Sequence, residues 1–390
     1  MNELGLGVDA HAHNVKPLRV LVAVSGGRDS VCALHVMKTL LATMNACREK
    51  AKQAPFDRRG DATLSQGPEA GLHELAAIHC DHRWPGDEGI AEHVQRVTDG
   101  LGIHLHVITQ TDGAAENGIK SSERTETGAR DWRYACIRHI CATFRYTTVI
   151  TGHTKSDRVE TMLLNLVTGC GMTGIASIPR RRPLSSTQHT SGEFGQAEPV
   201  DLVRPLLDIW RAETAAYCVE NELAFHEDAY NTGTTTPRNR IRNELIPYLR
   251  THFNPQVEQH LAHTSELMAS ERDFLSSHTR DVFQRVLLPS SSTADPGDHA
   301  IKLDARILAG QSIATQRRVL RMALLVRRHA PRKRSSSSGS SFAKVEAVRY
   351  LLDHPRVKND ARGRQCSFQF TPPGRAWMSH DGTVLHIIPS

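Results

Sequence analysis

The sequence predicts an α/β protein, in which a doubly wound parallel sheet is followed by a mainly helical C-terminal region. Over the first 180 residues, short apolar segments typical of strands alternate with longer segments of helical periodicity. That alternation is the pattern of parallel strands joined by crossover helices. After residue 208 the helical segments dominate, chiefly over 211–223 and 254–286. A glycine pair directly after the first strand indicates that the first crossover begins in a tight turn.

The individual elements follow from residue type and spacing. Runs of β-branched and aliphatic residues predict strands, and apolar residues spaced three or four apart predict helices. Strands are predicted at 18–24, 74–80, 104–108 and 147–151. Helices are predicted at 29–44, 90–101, 122–143 and 157–168. Since ligands of such sheets bind at the carboxyl ends of the strands, the residues after 24 and after 151 are candidates for a site.

Two polar segments interrupt this alternation. They predict surface insertions near residues 46–71 and 185–199. We therefore expect a catalytic domain over 1–207, with both insertions, and a mainly helical nucleic-acid-binding region over 208–390. Within that region the run R-K-R-S-S-S-S-G-S-S predicts a mobile serine-rich loop near 332–341, and a segment of mixed character, 342–390, closes the chain.

Composition excludes several classes of protein. The chain of 390 residues is long enough for two or three domains, and no run approaches the ~18 consecutive apolar residues of a membrane span. Its eight cysteines include no C-x-x-C pair, which argues against a zinc ribbon or a disulfide scaffold. The N-terminal segment resembles neither a signal peptide nor a transit peptide. We expect a cytoplasmic protein with no membrane partner.

Positive charge is concentrated in the C-terminal third. The net charge is +6, yet residues 301–364 contain 16 Lys and Arg against 4 Asp and Glu. Such a block predicts a polyanionic partner, with RNA or DNA as the first candidates. A solvated helix face is the structural alternative. The oligomeric state is left open, with a homodimer as one option.

The segment S-G-G-R-D-S follows the first predicted strand and opens the first helix. It lacks the lysine and the spacing of the common P-loop, but its glycines allow backbone N–H groups to approach an anion at a helix N-terminus. The serine hydroxyls add donors, and the aspartate can hold a Mg²⁺ that neutralises phosphate oxygens. An ordinary strand-to-helix turn is the alternative. The candidate nucleotide-binding residues are Ser25, Gly26, Gly27, Arg28, Asp29 and Ser30.

A second candidate site follows the fourth predicted strand. The spacing of His153, Asp157 and Glu160 places both carboxylates on one face of a helix beginning near Thr154, with the histidine at its mouth. Two carboxylates beside a nucleotide can share a Mg²⁺ and hold the ammonium group of an amine substrate. A solvated helix face with a capping histidine is the alternative. The run H-C-D-H at 79–82 is a weaker metal candidate, because strand alternation divides it between two faces.

These segments resemble a known family. S-G-G-x-D-S is the signature of the PP-loop, or N-type, ATP pyrophosphatases, and further segments are similar to motifs of the tRNA(Ile)-lysidine synthases, in the same order. They are G-A-R-D-W-R-Y (128–134), T-G-H-T-K-S-D-R-V-E-T (151–161), G-C-G-M-T-G (169–174), R-P-L-L (204–207), E-D-A-Y-N (227–231) and R-N-R-I-R (238–242). The resemblance covers residues 18–249.

The resemblance implies a PP-loop ATPase fold and the cleavage of ATP to AMP and pyrophosphate. It implies ATP, L-lysine and a tRNA(Ile) with a CAU anticodon as substrates. The wobble cytidine is adenylated on its C2 oxygen, and the lysine ε-amine then displaces AMP. ATP and Mg²⁺ are the implied cofactors, with Asp29 and Asp157 as metal ligands and His82 on the adenine side. The implied catalytic residues are Asp29, Arg133, His153, Asp157, Glu160 and Arg240.

The chain departs from the lysidine synthase pattern at four positions. Thr154, Ser156, Arg158 and Tyr230 stand where the pattern has His, Asp, Gln and Ser. One alternative function is another PP-loop tRNA-modifying enzyme, such as a tRNA thiolase, although that chemistry usually relies on paired cysteines. A catalytically silent RNA-binding protein is the other alternative, and the intact Ser25, Asp29, Asp157 and Glu160 argue against it.

Overall fold

The computed structural model describes eleven segments of the chain. They are residues 17–53, 72–84, 86–110, 125–184, 200–226, 236–289, 300–325, 342–353, 367–369, 375–379 and 382–388. The chain divides into two compact units, Met1–Ala269 and Ser270–Ser390. The expected end of the catalytic domain at residue 207 is a functional boundary. The division into two compact units does not test it, so it stays a prediction. Among the described helices, none has the length and apolar character needed to cross a membrane.

Six strands form a mostly parallel sheet in the first unit, which confirms the predicted fold class. They are β1 (Arg19–Ala23), β2 (Glu74–Asp81), β3 (His104–Thr109), β4 (Thr148–Thr151), β5 (Arg181–Pro183) and β6 (Asp201–Val203). Their order is β3-β2-β1-β4-β6-β5, with β5 antiparallel to β6. The order reverses between β1 and β4, so the carboxyl ends of these two strands flank a topological switch point, where open α/β sheets bind their ligands.

Helices cover the sheet and continue the unit beyond it. The crossover helices are α1 (Arg28–Gln53), α2 (Ile90–Leu101), α3 (Glu126–Phe144) and α4 (Lys155–Thr168). They are followed by α5 (Met172–Ile175), α6 (Arg211–Glu220), α7 (Pro237–Arg240), α8 (Ile246–His252) and α9 (Val257–Val286). The division between the two units falls within α9. A 3-10 turn (Pro205–Asp208) precedes α6, and a π-helical turn (Ile241–Leu245) joins α7 to α8.

Helix α1 is longer than predicted. The sequence predicts its end at Met44, where the charged segment begins, but the helix continues to Gln53. Ala46, Glu49 and Lys50 are good helix formers, and no glycine or proline intervenes before Pro55. The remainder of that segment and the whole of 185–199 lie outside the described residues.

The sheet is buried on both faces, as a doubly wound fold requires. Alternate residues of β1 point to opposite sides: Val20 and Val22 pack in a cluster with Leu34 of α1, while Leu21 packs with Ile137 of α3. All five side chains are fully buried. Burying an aliphatic side chain of this size contributes about 1.5–3 kcal/mol, so the central strand is a main source of stability and holds its carboxyl end rigidly.

The second unit combines helices with a small antiparallel sheet. Its strands are β7 (Ile301–Asp304), β8 (Ser367–Gln369), β9 (Arg375–Met378) and β10 (Val384–Ile388), in the order β7-β10-β9-β8. Its helices include α10 (Ala305–Ala309), α11 (Ile313–Leu325) and α12 (Phe342–Asp353). Sheet and helices share one core, in which Leu303, Leu320, Val348 and Leu385 are fully buried. The predicted serine-rich loop at 332–341 lies outside the described residues.

Candidate active site

The glycine turn between β1 and α1 is held together by hydrogen bonds among its own residues. Gly26 has a φ of +86°, and a Cβ there would lie 3.1 Å from Ile90 Cγ2, so both conformation and space favour glycine. The Ser30 hydroxyl donates to the Gly27 carbonyl at 2.8 Å and accepts from the Ser25 N–H at 3.1 Å. Ser30 therefore braces the turn from within, and the turn lies at the N-terminus of α1, where an anion is favoured.

The end of β4 touches this turn. A Cβ on Gly152 would lie 2.6 Å from the Asp29 carbonyl oxygen and 2.9 Å from the Ser30 nitrogen, contacts that a side chain cannot make without moving the backbone. Glycine at this position thus allows the carboxyl end of β4 to approach the first turn of α1. The two segments that the sequence singled out separately form one site at the switch point.

Thr154 begins helix α4. It is the N-cap residue, and its backbone N–H and hydroxyl donate to Asp157 Oδ2 at 2.7 and 2.8 Å, while its hydroxyl accepts from the Asp157 N–H. This capping box orients the Asp157 carboxylate. The threonine that departs from the family pattern therefore has a clear local role.

Three arginines hold the two carboxylates of α4. Asp157 Oδ1 accepts from Arg211 Nη2 at 2.9 Å and from Arg238 Nη2 at 2.8 Å. Glu160 Oε1 accepts from Arg211 Nη1 at 2.8 Å and from Arg242 Nε at 2.7 Å. Glu160 Oε2 accepts from Arg238 Nε at 2.9 Å and from Arg242 Nη2 at 3.0 Å. Every oxygen of both carboxylates thus accepts two hydrogen bonds, and the Glu160 side chain is only 1% exposed.

Asp29 is the third carboxylate of the site. Its Oδ1 accepts a hydrogen bond from the Thr214 hydroxyl, and its Oδ2 lies 3.4 Å from Arg211 Nε. Burial raises the pKa of Asp29 above its usual value, and the hydrogen bond from Thr214 and the charge of Arg211 oppose that effect. Asp29 is thus held less tightly by cations than its two neighbours.

Cations keep the other two carboxylates ionised. Burial alone would raise the pKa of Asp157, but Arg211 and Arg238 outweigh it and lower that pKa to about 2. Burial likewise opposes ionisation of Glu160, and the hydrogen bond from Arg242 and the charge of Arg211 lower its pKa. At neutral pH both side chains are anions, so neither is poised to carry a proton.

His153 is neutral at physiological pH. It lies between β4 and α4, and its Nδ1 is 2.9 Å from the Thr151 hydroxyl. Burial lowers the pKa of His153 to about 4; Asp157 opposes the shift, and Arg204 and Arg238 add to it. A neutral imidazole at this place can accept a proton or a hydrogen bond.

His82 and Arg133, which the sequence predicted as site residues, form a separate group. His82 packs against Trp132, with ring centroids 4.8 Å apart, and its Nε2 lies 3.4 Å from Arg133 Nη2. Burial, reinforced by the charge of Arg133, lowers the pKa of His82 to about 4. The structure therefore brings these two predicted residues together at the carboxyl end of β2. Arg28 lies beside the glycine turn in the first turn of α1.

Arg240 and Arg211 differ most from the sequence-based expectation. Arg240, predicted as catalytic, lies outside the carboxylate cluster; its side chain is 66% exposed and its Nε is 3.4 Å from Glu244. Arg211, which the sequence did not single out, contacts all three carboxylates. The one feature of the sequence that could have indicated Arg211 is its place shortly after the R-P-L-L motif, which puts it in the first turn of α6. The E-D-A-Y-N motif lies outside the described residues.

Asp29 fits a magnesium ligand better than Asp157 does. Mg²⁺ usually takes one or two carboxylates together with substrate phosphates. Asp29 has an oxygen with one long cationic contact, whereas both oxygens of Asp157 are fully engaged. Within the described segments, no group of three or more His, Cys, Asp or Glu side chains is arranged to hold a metal ion. In the H-C-D-H run, His79 Nδ1 instead lies 2.9 Å from the Val24 carbonyl.

Comparisons with known proteins identify the family of the chain. The PP-loop domain family matches residues 7–249. The chain is 35% identical over 337 residues to "tRNA(Ile)-lysidine synthase" of Synechocystis sp., covering 86% of this chain and 84% of that protein. It is 37% identical over 309 residues to the Gloeobacter violaceus protein of the same name, covering 79% and 77%.

A chloroplast protein and a solved structure extend the comparison. "tRNA(Ile)-lysidine synthase, chloroplastic" of Zygnema circumcarinatum is 31% identical over 356 residues, covering 85% of this chain and 74% of that protein. The structure of a U34-tRNA thiolase from Methanococcus maripaludis aligns with a TM-score of 0.43 at 17% identity, over 66% of this chain and 74% of that one, which carries no functional argument. On its PP-loop domain and its extensive identity to these relatives, the chain belongs to the tRNA(Ile)-lysidine synthase family.

Proposed function

We propose that the chain is a tRNA(Ile)-lysidine synthetase that uses ATP, Mg²⁺ and L-lysine to modify the wobble cytidine of a tRNA(Ile) with a CAU anticodon. The observation that carries the proposal is the meeting of the glycine turn, His153 and the α4 carboxylates at one switch point, in a chain related over most of its length to lysidine synthases. We also propose that the protein is cytoplasmic and that it acts on this particular tRNA.

The first half-reaction transfers AMP to the RNA. The C2 oxygen of the cytidine attacks the α-phosphorus of ATP, the bond to the β-phosphate oxygen breaks, and pyrophosphate leaves. The glycine turn and the N-terminus of α1 would hold phosphate oxygens, and Asp29 would hold a Mg²⁺, which when bound would neutralise part of the phosphate charge. His82, whose ring packs on the buried Trp132, lies on the side that we assign to the nucleotide. The target base must be turned out of its loop to reach the site, as single-stranded bases commonly are.

The second half-reaction joins lysine to the base. The ε-amine attacks C2, the C2–oxygen bond breaks, and AMP leaves with that oxygen. Asp157 and Glu160 attract the lysine ammonium by charge, but their low pKa values make them poor bases. His153, with a pKa of about 4, is also a weak base, but it is a stronger base than Asp157 and no arginine among the described residues holds it, so we assign it the proton that the amine loses.

Lysine must compete with arginine for its carboxylates. Because each oxygen of Asp157 and Glu160 already accepts two hydrogen bonds, an ammonium group can bind between them only by displacing an arginine. Arg211 is the most natural one to move, since its guanidinium also faces Asp29 beside the phosphates. Phosphate binding that draws Arg211 away would open the lysine site after ATP has bound.

A second function has little to support it. A tRNA thiolase needs reactive sulfur ligands, and C-x-x-C pairs are absent from the sequence. A silent RNA-binding protein would have no need for the capped, ionised Asp157. Release of AMP and pyrophosphate separates all three functions. We expect pyrophosphate release to depend on tRNA(Ile), and AMP release to accelerate when lysine is added; release that responds to a sulfur donor and not to lysine would favour the thiolase.

A further inference from the structure

A second group of arginines surrounds a tyrosine on the other side of His153. The Arg182 guanidinium carbon lies 4.9 Å from the centre of the Tyr134 ring, and that of Arg130 lies 5.7 Å away. Burial would raise the pKa of Tyr134, but Arg182, Arg130 and Arg204 outweigh it and lower that pKa, so all three arginines act on the phenol group. Three elements contribute to this group: α3, β5 and the residue that follows β6.

The charges of these three arginines are less compensated than those of their neighbours. Arg181, adjacent to Arg182 on β5, pairs with Asp201 at 2.5 Å, and Arg180 pairs with Asp208. Among the described residues, no carboxylate lies within ion-pair distance of Arg130, Arg182 or Arg204. Like charges held together in this way repel one another, which disfavours the free protein unless an anion joins them.

Arg204 shows how little the protein compensates this charge. It is 2% exposed, its Nη1 donates to the Pro179 carbonyl at 2.6 Å, and its Nε has no hydrogen-bond partner among the described residues. Burial lowers the pKa of Arg204, and the charges of Arg182 and Arg130 lower it further. A buried guanidinium N–H without a partner costs about 1–3 kcal/mol, so it marks a place where a ligand could supply the acceptor.

The group is accessible from one side and reaches the candidate site on the other. Arg130 is exposed, Arg182 and Tyr134 are half-buried, and Arg204 is buried, so the charges line a path from solvent inward. Burial lowers the pKa of His153, and the charges of Arg204 and Arg130 add to that effect, so both arginines lie near the imidazole. The carboxylates of α4 are therefore flanked by a positively charged subsite.

We propose that Arg130, Arg182 and Arg204, arranged around Tyr134, form a phosphate-binding subsite beside the candidate active site. Guanidinium groups bind phosphate oxygens in pairs with defined geometry, and the tyrosine hydroxyl adds a donor. If the proposed function is right, the phosphate group comes either from ATP or from the tRNA backbone next to the reacting nucleotide. The chemistry is the same in both cases, and the source can be separated by experiment.

Inorganic phosphate tests the subsite without any assumption about the reaction. We compare the melting temperature (Tm) in phosphate and in chloride at equal ionic strength. Phosphate should raise the Tm of the wild type and of Arg181→Gln by about 2–4 °C. It should raise that of Arg182→Gln clearly less, by only the part that the glycine turn contributes in all three proteins, and Arg182→Gln in chloride should be no less stable than the wild type. Arg181 is the matched control, because it is adjacent and carries the same charge but pairs with Asp201.

Two outcomes would overturn the subsite. One is an equal phosphate response in all three proteins, and the other is loss of stability in Arg182→Gln at low phosphate, which would make Arg182 a structural residue. If Arg182→Gln does not fold, that second outcome has occurred. Arg130→Gln, at an exposed position, then repeats the phosphate comparison, and an undiminished response there likewise rejects the subsite.

Binding measurements with the two substrates identify the source of the phosphate. Titration of each variant with a non-hydrolysable ATP analogue and, separately, with tRNA should show about a tenfold loss of affinity for one of them in Arg182→Gln and none in Arg181→Gln. Loss for the ATP analogue assigns the subsite to the nucleotide; loss for tRNA, with a flatter salt dependence, assigns it to the RNA backbone. Unchanged affinity for both contradicts the proposal, even if the enzyme makes lysidine.

Discussion

Arg211 Nη2 lies 2.9 Å from Asp157 Oδ1, and the same guanidinium also reaches Glu160 and Asp29. One side chain from the first turn of α6 thus joins the carboxylates of α1 and α4. Buried ion pairs of this kind are weak evidence for added stability, because desolvation offsets their attraction. Their effect here is to fix three charged groups in one arrangement that a substrate must change.

Replacement of Arg211 by glutamine should uncouple these groups. Asp157 keeps Arg238, and Glu160 keeps Arg238 and Arg242, so we expect a loss of about 1.5–3 kcal/mol in the free energy of unfolding, the range for hydrogen bonds to charged groups. Arg240→Gln is the control, since its exposed pair with Glu244 is worth about 0–1 kcal/mol. Denaturant unfolding of both variants measures the difference, and equal losses would show that the Arg211 contacts carry no special weight.

The Glu160→Gln variant should be more severely affected. It removes one charge from three guanidinium groups in a site where the glutamate is almost fully buried, and breaking a buried pair by removing one partner costs about 3–5 kcal/mol. We also expect the use of lysine to fall far more than the affinity for tRNA. A lysine titration of AMP release alongside tRNA binding checks this, with Glu244→Gln as control; an equal loss of tRNA affinity would contradict the assignment.

Asp29→Asn should abolish pyrophosphate release and leave the fold intact. The amide keeps the shape and can still accept from Thr214, but it loses the charge that a Mg²⁺ requires. The measurements are pyrophosphate release and the melting temperature, with Asp99→Asn on the exposed face of α2 as control. An unchanged rate of release would remove Asp29 from the site.

Stability should fall in acid because of the carboxylates of α4. The pKa of Asp157 is about 2 in the folded protein, and that of an unfolded aspartate is about 4. The contribution of Asp157 to stability, about 2.7 kcal/mol, is therefore complete above the unfolded value and is lost between roughly pH 4 and pH 2. Glu160 acts in the same direction, whereas Asp29, with its raised pKa, acts against it. Unfolding measured across that interval should depend less on pH in Asp157→Asn; the same slope as in the wild type would refute this.

The basic C-terminal third should contribute RNA affinity that depends on salt. Replacing Arg317, Arg318 and Arg321 with glutamine should lower tRNA affinity and reduce the salt slope by about 0.7–0.9 for each phosphate that is no longer neutralised. Arg317 already pairs with Glu346 at 2.6 Å and lies over the Phe342 ring, so Arg317→Gln alone should have less effect than Arg321→Gln, whose side chain is exposed. An unaltered salt slope in a stably folded triple variant would show that these three arginines do not contact phosphates. The RNA-binding surface would then be sought at residues 238–242.

The sequence predicted the parts of the site that depend on local pattern. Strand alternation and helical periodicity located β1, α2 and β4 within a residue or two, and the S-G-G-R-D-S turn and the spacing of His153, Asp157 and Glu160 identified the switch point. These features are local because a turn or a helix face is determined by adjacent residues.

Features that depend on distant contacts were not predictable. Arg211 reaches Asp157 only because the start of α6 lies beside the start of α4, where the Arg211 N–H donates to Ser156 Oγ at 3.3 Å, and nothing in its local sequence signals that contact. The saturation of Glu160 by three arginines likewise depends on the path of α7. The four strands of the second unit are three to five residues long, so they left little periodicity to detect.

The central claim is that this chain attaches lysine to a tRNA base. Its most direct test is mass spectrometry of a tRNA(Ile) transcript with a CAU anticodon after incubation with the protein, ATP, Mg²⁺ and isotopically labelled lysine. We predict that the wobble cytidine gains the mass of one labelled lysine less one water, and that the gain disappears without ATP. An unmodified cytidine despite AMP release, or a product that contains sulfur and no label, would contradict the claim.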